Sequence, residues 1–222
     1  HPDWAELAVD DEARNVSPGV ISEKDYQVAL HLIMHSLTFE QEELKWFLAF
    51  SLITCYRFVL RSADATGLAG QDWWTDGQAH VVLVRNNRQR ALKSMASRRP
   101  VPLIVEFTEL ERLVVDHIRS RHQALATNRP FAPLLCDASG RAAADFVPTI
   151  AYTLNTILKM VTGDPKSVLH HCRHTFFNRL DALLLPVQND FHRALWPDEA
   201  DRQRAQALLL GPQHTLSRRT GF

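Results

Sequence analysis

The chain has 222 residues, 45% of them hydrophobic and 23% charged, which is the composition of an ordinary globular protein rather than of a disordered one. Its 25 acidic and 25 basic residues give a formal net charge of zero, so any contact with nucleic acid must come from charge gathered on one surface. No apolar run approaches the roughly 20 residues that a membrane span requires, and no signal peptide is apparent, so we expect no membrane partner. The three cysteines lack CxxC spacing and indicate free thiols in a reducing compartment, which the cytoplasm fits.

The first part of the chain predicts an arm followed by two helices. Residues 1–21 mix acids, prolines and a glycine without periodicity, and we interpret them as a linker or N-terminal arm. The domain is expected to occupy residues 22–222, because Ser22 and Asp25 form a plausible capping box and apolar residues then recur at helical spacing. A second, buried helix is predicted over residues 39–60, with its aromatic side chains in the core.

Two arginines stand at the end of this second helix. Arg57 and Arg61 are four residues apart and can share one helix face, and Asp64 follows Arg61 by three residues. Taken alone, Arg61 and Asp64 indicate an ion pair within a helix, a contact worth about 0.3–0.5 kcal/mol.

Residues 78–103 favour strands, because a compact β-branched run is followed by a polar turn and a proline-rich closing segment. The interval between the two apolar segments carries several basic residues and no acid. Such a hairpin suits contact with a phosphate backbone, although a solvated basic loop has the same composition. The candidate DNA-binding residues are Arg85, Arg88, Arg90, Arg98 and Arg99.

The remainder of the chain favours helices. We predict them over residues 107–126, 148–161, 169–185 and 198–210. Gly163 is expected to end the second of these helices, and His117 in the first is expected to pack rather than to bind a ligand. The predicted fold class is α+β, mainly α with one small antiparallel β-sheet.

The segment Leu169–Leu180, LHHCRHTFFNRL, holds three histidines and an arginine within five consecutive residues. On a helix His170 and Arg173 share one face. An arginine beside a histidine offers several hydrogen-bond donors to one phosphate or carboxylate. The segment therefore predicts an anion site, and a cationic patch that is merely solvated is the alternative.

Three motifs together resemble those of the tyrosine recombinases, or phage integrases. The string H-H-C-R-H-T-F is similar to their second conserved box, usually H-x-x-R-H-T/S-F. Arg61 resembles their first catalytic arginine, since acids follow at three and eleven residues and a leucine at seven, although residues 58–60 replace the usual T-G-x. In LKSMASRRPVPL, Lys93 stands nine residues before Pro102, as does the catalytic lysine of the family's β2–β3 hairpin.

This resemblance implies the catalytic-domain fold, double-stranded DNA as the partner and self-association on DNA in the nucleoid, with no metal and no cofactor. It further implies that Arg61, His170 and Arg173 surround the scissile phosphate and stabilise its pentacoordinate transition state. Lys93 would protonate the leaving 5′ oxygen. His214 is a shifted candidate for the fifth member, because Pro212 occupies the usual histidine position.

The nucleophile of the family is missing from the motif that should carry it. Arg219 or Phe222 stands at the tyrosine position, and the only tyrosines are Tyr26, Tyr56 and Tyr152. Three interpretations stay open. They are a strand-exchange enzyme in an inactivated or truncated form, a natural non-cleaving relative that regulates or organises DNA, and a helical interaction domain whose matches are coincidental.

Overall fold

The computed structural model describes residues 19–39, 42–76, 79–88, 90–91, 98–125, 132–136, 146–184 and 195–210. Its helices are α1 (Glu23–His31), α2 (Glu42–Arg57), α3 (Ser62–Thr66), α4 (Glu109–Leu125), α5 (Val147–Thr162), α6 (His171–Leu184) and α7 (Glu199–Leu210). Its strands are β1 (Trp73–Asp76), β2 (Ala79–Val84) and β3 (Arg99–Pro102). The predicted class, mainly helical with one small antiparallel sheet, is confirmed.

The N-terminal cap of α1 forms as predicted. Ser22 Oγ accepts the backbone N–H of Asp25 at 3.0 Å and donates to its carboxylate at 2.7 Å. The expected boundary between arm and domain is too late, however, because Ile21 is fully buried. Its N–H donates to Thr175 Oγ1 at 2.8 Å, and its carbonyl accepts from the Tyr56 hydroxyl at 3.2 Å. The packed domain therefore includes the described residues 19–21.

Helix α2 is the centre of the helical layer. Every residue from Phe47 to Arg57 is buried, as expected of a helix that is covered on all sides, and α2 packs against α1, α4, α5 and α6. The helix ends earlier than predicted, at Arg57. The cause is Val59, whose φ of 56° lies in the left-handed region that a β-branched residue rarely adopts.

The sheet has the order β1-β2-β3, with both neighbouring pairs antiparallel. Trp73 pairs with Val82, and Val82 pairs with Val101. These three side chains are buried, so one face of the sheet closes the core. The Trp73 ring completes this contact by packing on Phe58 at a centroid distance of 5.0 Å.

Two predictions about the later helices are confirmed and one is wrong. Gly163 ends α5 with φ 69°, and its N–H donates to the Lys159 carbonyl at 3.0 Å. His117 packs on Trp46, with ring centroids 3.7 Å apart. Leu113 shares helical spacing with Leu110, Val114 and Ile118, which predicts one buried apolar stripe on α4. This prediction is wrong at Leu113, which is 54% exposed while the acidic Glu111 is buried.

A buried ionic network joins four helices. Glu23 of α1 lies 2.6 Å from both Arg57 of α2 and Arg179 of α6, and Arg57 Nε lies 2.7 Å from Glu111 of α4. The Tyr26 hydroxyl also donates to Glu111. Burial alone would raise the pKa of Glu23, but the two arginines outweigh it and hold that pKa at about 2. The carboxylate is therefore charged at neutral pH.

The state of the three cysteines bears on whether a thiol could act as a nucleophile. All three cysteines are buried free thiols, and burial raises the pKa of Cys172 to about 12. A thiol of that pKa is a poor nucleophile at neutral pH.

Across the described ranges, no helix is both long and apolar enough to cross a membrane.

Candidate anion-binding site

Arg61 and Arg57 lie in opposite environments, contrary to the expectation that they share one helix face. Arg57 is 3% exposed and ends α2. The backbone then leaves the helix through Val59, and Arg61 is an exposed residue in extended conformation at the N-terminal cap position of α3. The left-handed residue between the two arginines thus turns Arg61 outward while Arg57 stays in the core.

Asp64 stabilises the segment that carries Arg61. Its carboxylate accepts the backbone N–H of Arg61 at 3.3 Å, which caps the start of α3. The same carboxylate lies 4.0 Å from Arg90 and 4.0 Å from Arg99. Its described ionic partners are therefore arginines from the hairpin, and its contact with Arg61 is made to the backbone.

Arg173 connects α6 to the break before Arg61. Helix α6 begins at His171, and the preceding turn is fixed because Leu169 N–H donates to Asn155 Oδ1 at 2.7 Å. Arg173 Nη1 donates to the Val59 carbonyl at 3.1 Å, and its guanidinium lies 5.1 Å from the Phe177 ring centroid. These contacts hold the cation beside the segment that presents Arg61.

Arg61, Arg99 and Arg173 line one cavity of about 380 Å³. Its apolar wall includes Phe176 and Phe177 of α6. No carboxylate belongs to the described residues that line it. A cavity with several guanidinium groups and no lining acid is chemically suited to an oxyanion such as a phosphate.

The cations of this region repel one another. Burial and then the positive charges of Arg99 and Arg61 lower the pKa of Arg173. His170 lies immediately before α6 and is an exposed residue. The partial burial of its ring, followed by the positive charges of His174, Arg173 and Arg61, lowers the pKa of its imidazole. An oxyanion would relieve this repulsion, so the arrangement favours anion binding. Of the three predicted site residues, Arg61 and Arg173 line the cavity, whereas His170 is not among its described lining residues.

The hairpin arginines fall into two groups. Arg90 is 5% exposed, donates to the backbone carbonyls of Arg85 and Asp64, and lies 3.7 Å from the carboxylate of Asp72. Arg85 donates to the same Asp72 at 2.6 Å. DNA contacts are predicted for Arg90 from the sequence, but its burial leaves it no surface from which to contact a duplex. Arg88 and Arg98 are exposed, as a DNA-contacting role requires.

Other predicted site residues lie outside the described residues. Lys93 belongs to the connection between β2 and β3, whose ends are joined by the Val84–Arg99 pair. The remaining positions outside the described ranges are His214, Arg219 and Phe222.

None of the three tyrosines lines the cavity. Tyr26 and Tyr56 are buried and stack with ring centroids 3.9 Å apart. Burial is the main cause that raises the pKa of both hydroxyls above the ordinary tyrosine value. Tyr152 is 75% exposed on α5. The packing role expected for Tyr56 is confirmed.

Two contributors to the site are not identified by the motifs. Asn155 fixes the turn before α6, and no sequence pattern points to it. Arg99 was expected on the DNA-facing surface but lines the cavity. A signal existed for Arg99, because it stands two residues before the apolar Val101 and alternate strand residues share a face.

No protein-family model and no curated protein matches the chain. Solved structures that resemble its fold include two of the XerH site-specific recombinase. One is a pre-cleavage complex with difH substrate, with a TM-score of 0.53, 12% identity and coverage of 86% of this chain and 50% of that one. The other is a post-cleavage complex with palindromic difH, with a TM-score of 0.55, 13% identity and coverage of 92% and 53%. The chain therefore spans about half the length of these proteins and shares the fold of that portion of them.

Proposed function

We propose that the chain is the catalytic-domain portion of a site-specific recombinase of the tyrosine type, with double-stranded DNA as its partner. The observation that supports this most is the placement of Arg61 and Arg173, which are distant in sequence, around one cavity whose described lining residues include no carboxylate. The XerH structures of the same fold are complexes with difH substrate. From the resemblance of the motifs to those of the tyrosine recombinases, we also propose self-association on DNA.

In this proposal the cavity receives the scissile phosphate. The two guanidinium groups donate hydrogen bonds to its non-bridging oxygens, and the donors count most where negative charge develops in the pentacoordinate transition state. Arg173 is already oriented by the Val59 carbonyl, so little reorganisation accompanies binding. His170 adds a donor at the edge of the site, Lys93 protonates the leaving 5′ oxygen, and His214 is the fifth member.

Cleavage also requires a nucleophile in line with the leaving oxygen, and the positions of the tyrosines favour a second candidate function. Tyr26 and Tyr56 are buried, and Tyr152 does not line the cavity. A chain that holds a phosphate without a phenol beside it binds DNA without cutting it. The second candidate is therefore a natural non-cleaving relative that acts as a DNA-binding regulator or architectural subunit.

The test is fluorescence anisotropy with a labelled duplex, applied to the wild-type chain, R61Q and R173Q. Each variant should bind about tenfold more weakly, because each removes charge-assisted hydrogen bonds to a phosphate. R112Q is the control, since Arg112 is an exposed arginine of α4 that does not line the cavity. Affinities of R61Q and R173Q equal to that of R112Q, with all three variants folded, would contradict the proposed site.

A further inference from the structure

We propose that Arg99 is a third phosphate-binding residue of the Arg61–Arg173 cavity, rather than one of the arginines that follow the DNA backbone. This inference rests on the proposed function and deepens it, because it concerns the same site. Arg99 lines the cavity together with Arg61 and Arg173. The sequence motifs assign it no such place.

Strand geometry accounts for the direction of the Arg99 side chain. Arg99 pairs with Val84 and stands two residues before Val101, and both valines are buried. Since alternate residues of a strand share one face, Arg99 points to the helical side of the sheet and is only partly exposed. Arg98, one residue earlier, is exposed. The two adjacent arginines therefore lie on different surfaces of the domain.

One carboxylate orders both sides of this part of the cavity. Asp64 Oδ2 lies 4.0 Å from Arg99 Nη2, and the same oxygen accepts the backbone N–H of Arg61. Arg90 holds Asp64 in turn, since its Nη1 donates to the Asp64 carbonyl at 2.9 Å. Asp64 is buried and does not line the cavity. It therefore offsets the repulsion among the arginines without meeting the ligand.

The third guanidinium changes what the site can bind. A phosphodiester in its ground state carries one negative charge, which two arginines can already match. The transition state of phosphoryl transfer spreads more charge over the equatorial oxygens. A guanidinium group that already lies beside the cavity, 4.0 Å from Asp64, is available to that charge with little reorganisation. The ligand class is accordingly a phosphate oxyanion, and Arg99 approaches it from the sheet while Arg173 approaches from α6.

The first experiment measures affinity for inorganic phosphate at constant ionic strength by isothermal titration calorimetry. R99Q should weaken binding about tenfold, as R61Q and R173Q do, and R99K should recover part of the loss because a lysine keeps the charge without the fork. R112Q is the control, since Arg112 is an exposed arginine that does not line the cavity, and it should bind within twofold of wild type. An effect of R112Q as large as that of R99Q would overturn the inference, because general surface charge would then explain both.

The outcomes separate this inference from the proposed function. If R61Q and R173Q weaken phosphate binding while R99Q does not, Arg99 is outside the site and the proposed function survives. If none of the three variants changes the affinity, both proposals are wrong. If R99Q does not fold, an NMR titration of the wild-type chain with phosphate tests the inference instead. The arginine Nε–H resonance of Arg99 should shift during a phosphate titration with the same midpoint as that of Arg61, and an unmoved resonance would overturn the inference.

Discussion

Arg57 and Glu111 form an ion pair in the interior, with Arg57 Nε 2.7 Å from Glu111 Oε1 and both side chains almost completely buried. Substitution R57A should destabilise the chain by about 3–5 kcal/mol, because it leaves the buried carboxylate of Glu111 without the arginine that compensates its charge. Urea unfolding followed by circular dichroism measures this change.

The matched control for R57A is R61A, four residues along the chain. Arg61 is exposed, so R61A should alter the free energy of unfolding by no more than about 0.5 kcal/mol. The pair of variants also tests the assignment of the first catalytic arginine. Loss of DNA affinity in a folded R61A chain supports Arg61, whereas equal destabilisation by both substitutions would contradict the division of roles.

The ionisation of Glu23 should make the free energy of unfolding depend on pH. Its folded-state pKa of about 2 lies below the ordinary glutamate value of 4.5, so the stabilisation is fully present above pH 4.5 and is lost as the pH falls towards 2. The difference corresponds to about 3 kcal/mol. Urea unfolding between pH 6 and pH 3 should show about 2 kcal/mol of this loss in the wild-type chain and less of it in E23Q. E109Q, which changes an exposed acid of α4, should keep the wild-type pH profile.

DNA binding should weaken steeply with salt, and two hairpin arginines should account for part of the slope. The double variant R88Q/R98Q should reduce the slope of log K against log salt by about 2, since each lost phosphate contact contributes close to one unit. Anisotropy titrations at several salt concentrations give the slope. R90Q should instead lower the urea midpoint and leave the slope unchanged, because Arg90 is buried. If the DNA affinity of the wild-type chain did not change with salt concentration, the proposed phosphate contacts would be contradicted.

The 222-residue polypeptide should form no covalent phosphotyrosyl link to DNA, because no tyrosine lines the cavity. A nicked suicide substrate analysed on a denaturing gel tests this directly, and a protein-linked band from the wild-type chain would overturn the expectation. The variants R219Y and F222Y each add a phenol near the family's tyrosine position. A linked band from either variant would show that the remaining groups of the site are competent.

Local signals were sufficient to predict much of this fold. The Ser22 cap and the Gly163 end of α5 depend on neighbouring backbone groups, which the sequence places close together. The boxes that carry Arg61 and Arg173 were found by motif, and both residues line one cavity. Strands β2 and β3 followed from the β-branched run and the prolines, whereas β1 lies before the interval predicted to hold strands.

The features of the fold and of the site that the sequence did not predict depend on contacts between segments that are distant along the chain. Val59 adopts a left-handed conformation that its own side chain disfavours, so no local pattern separates Arg57 from Arg61. Arg90 lies in an interval without acids, yet Asp64 and Asp72 reach it from an earlier part of the chain. Charge counted along the sequence therefore overstated the basic surface of the hairpin.

The close approach of Gly19 to α6 has a practical consequence for the choice of variants. A Cβ atom at Gly19 would clash with the His171 ring, so the backbone at this glycine runs directly against the first residue of α6. Any other residue at position 19 would have to displace this ring, which is adjacent in sequence to His170. The glycine should therefore be kept in every variant whose affinity for DNA is compared, because its replacement could disturb the proposed site without changing any residue that lines the cavity.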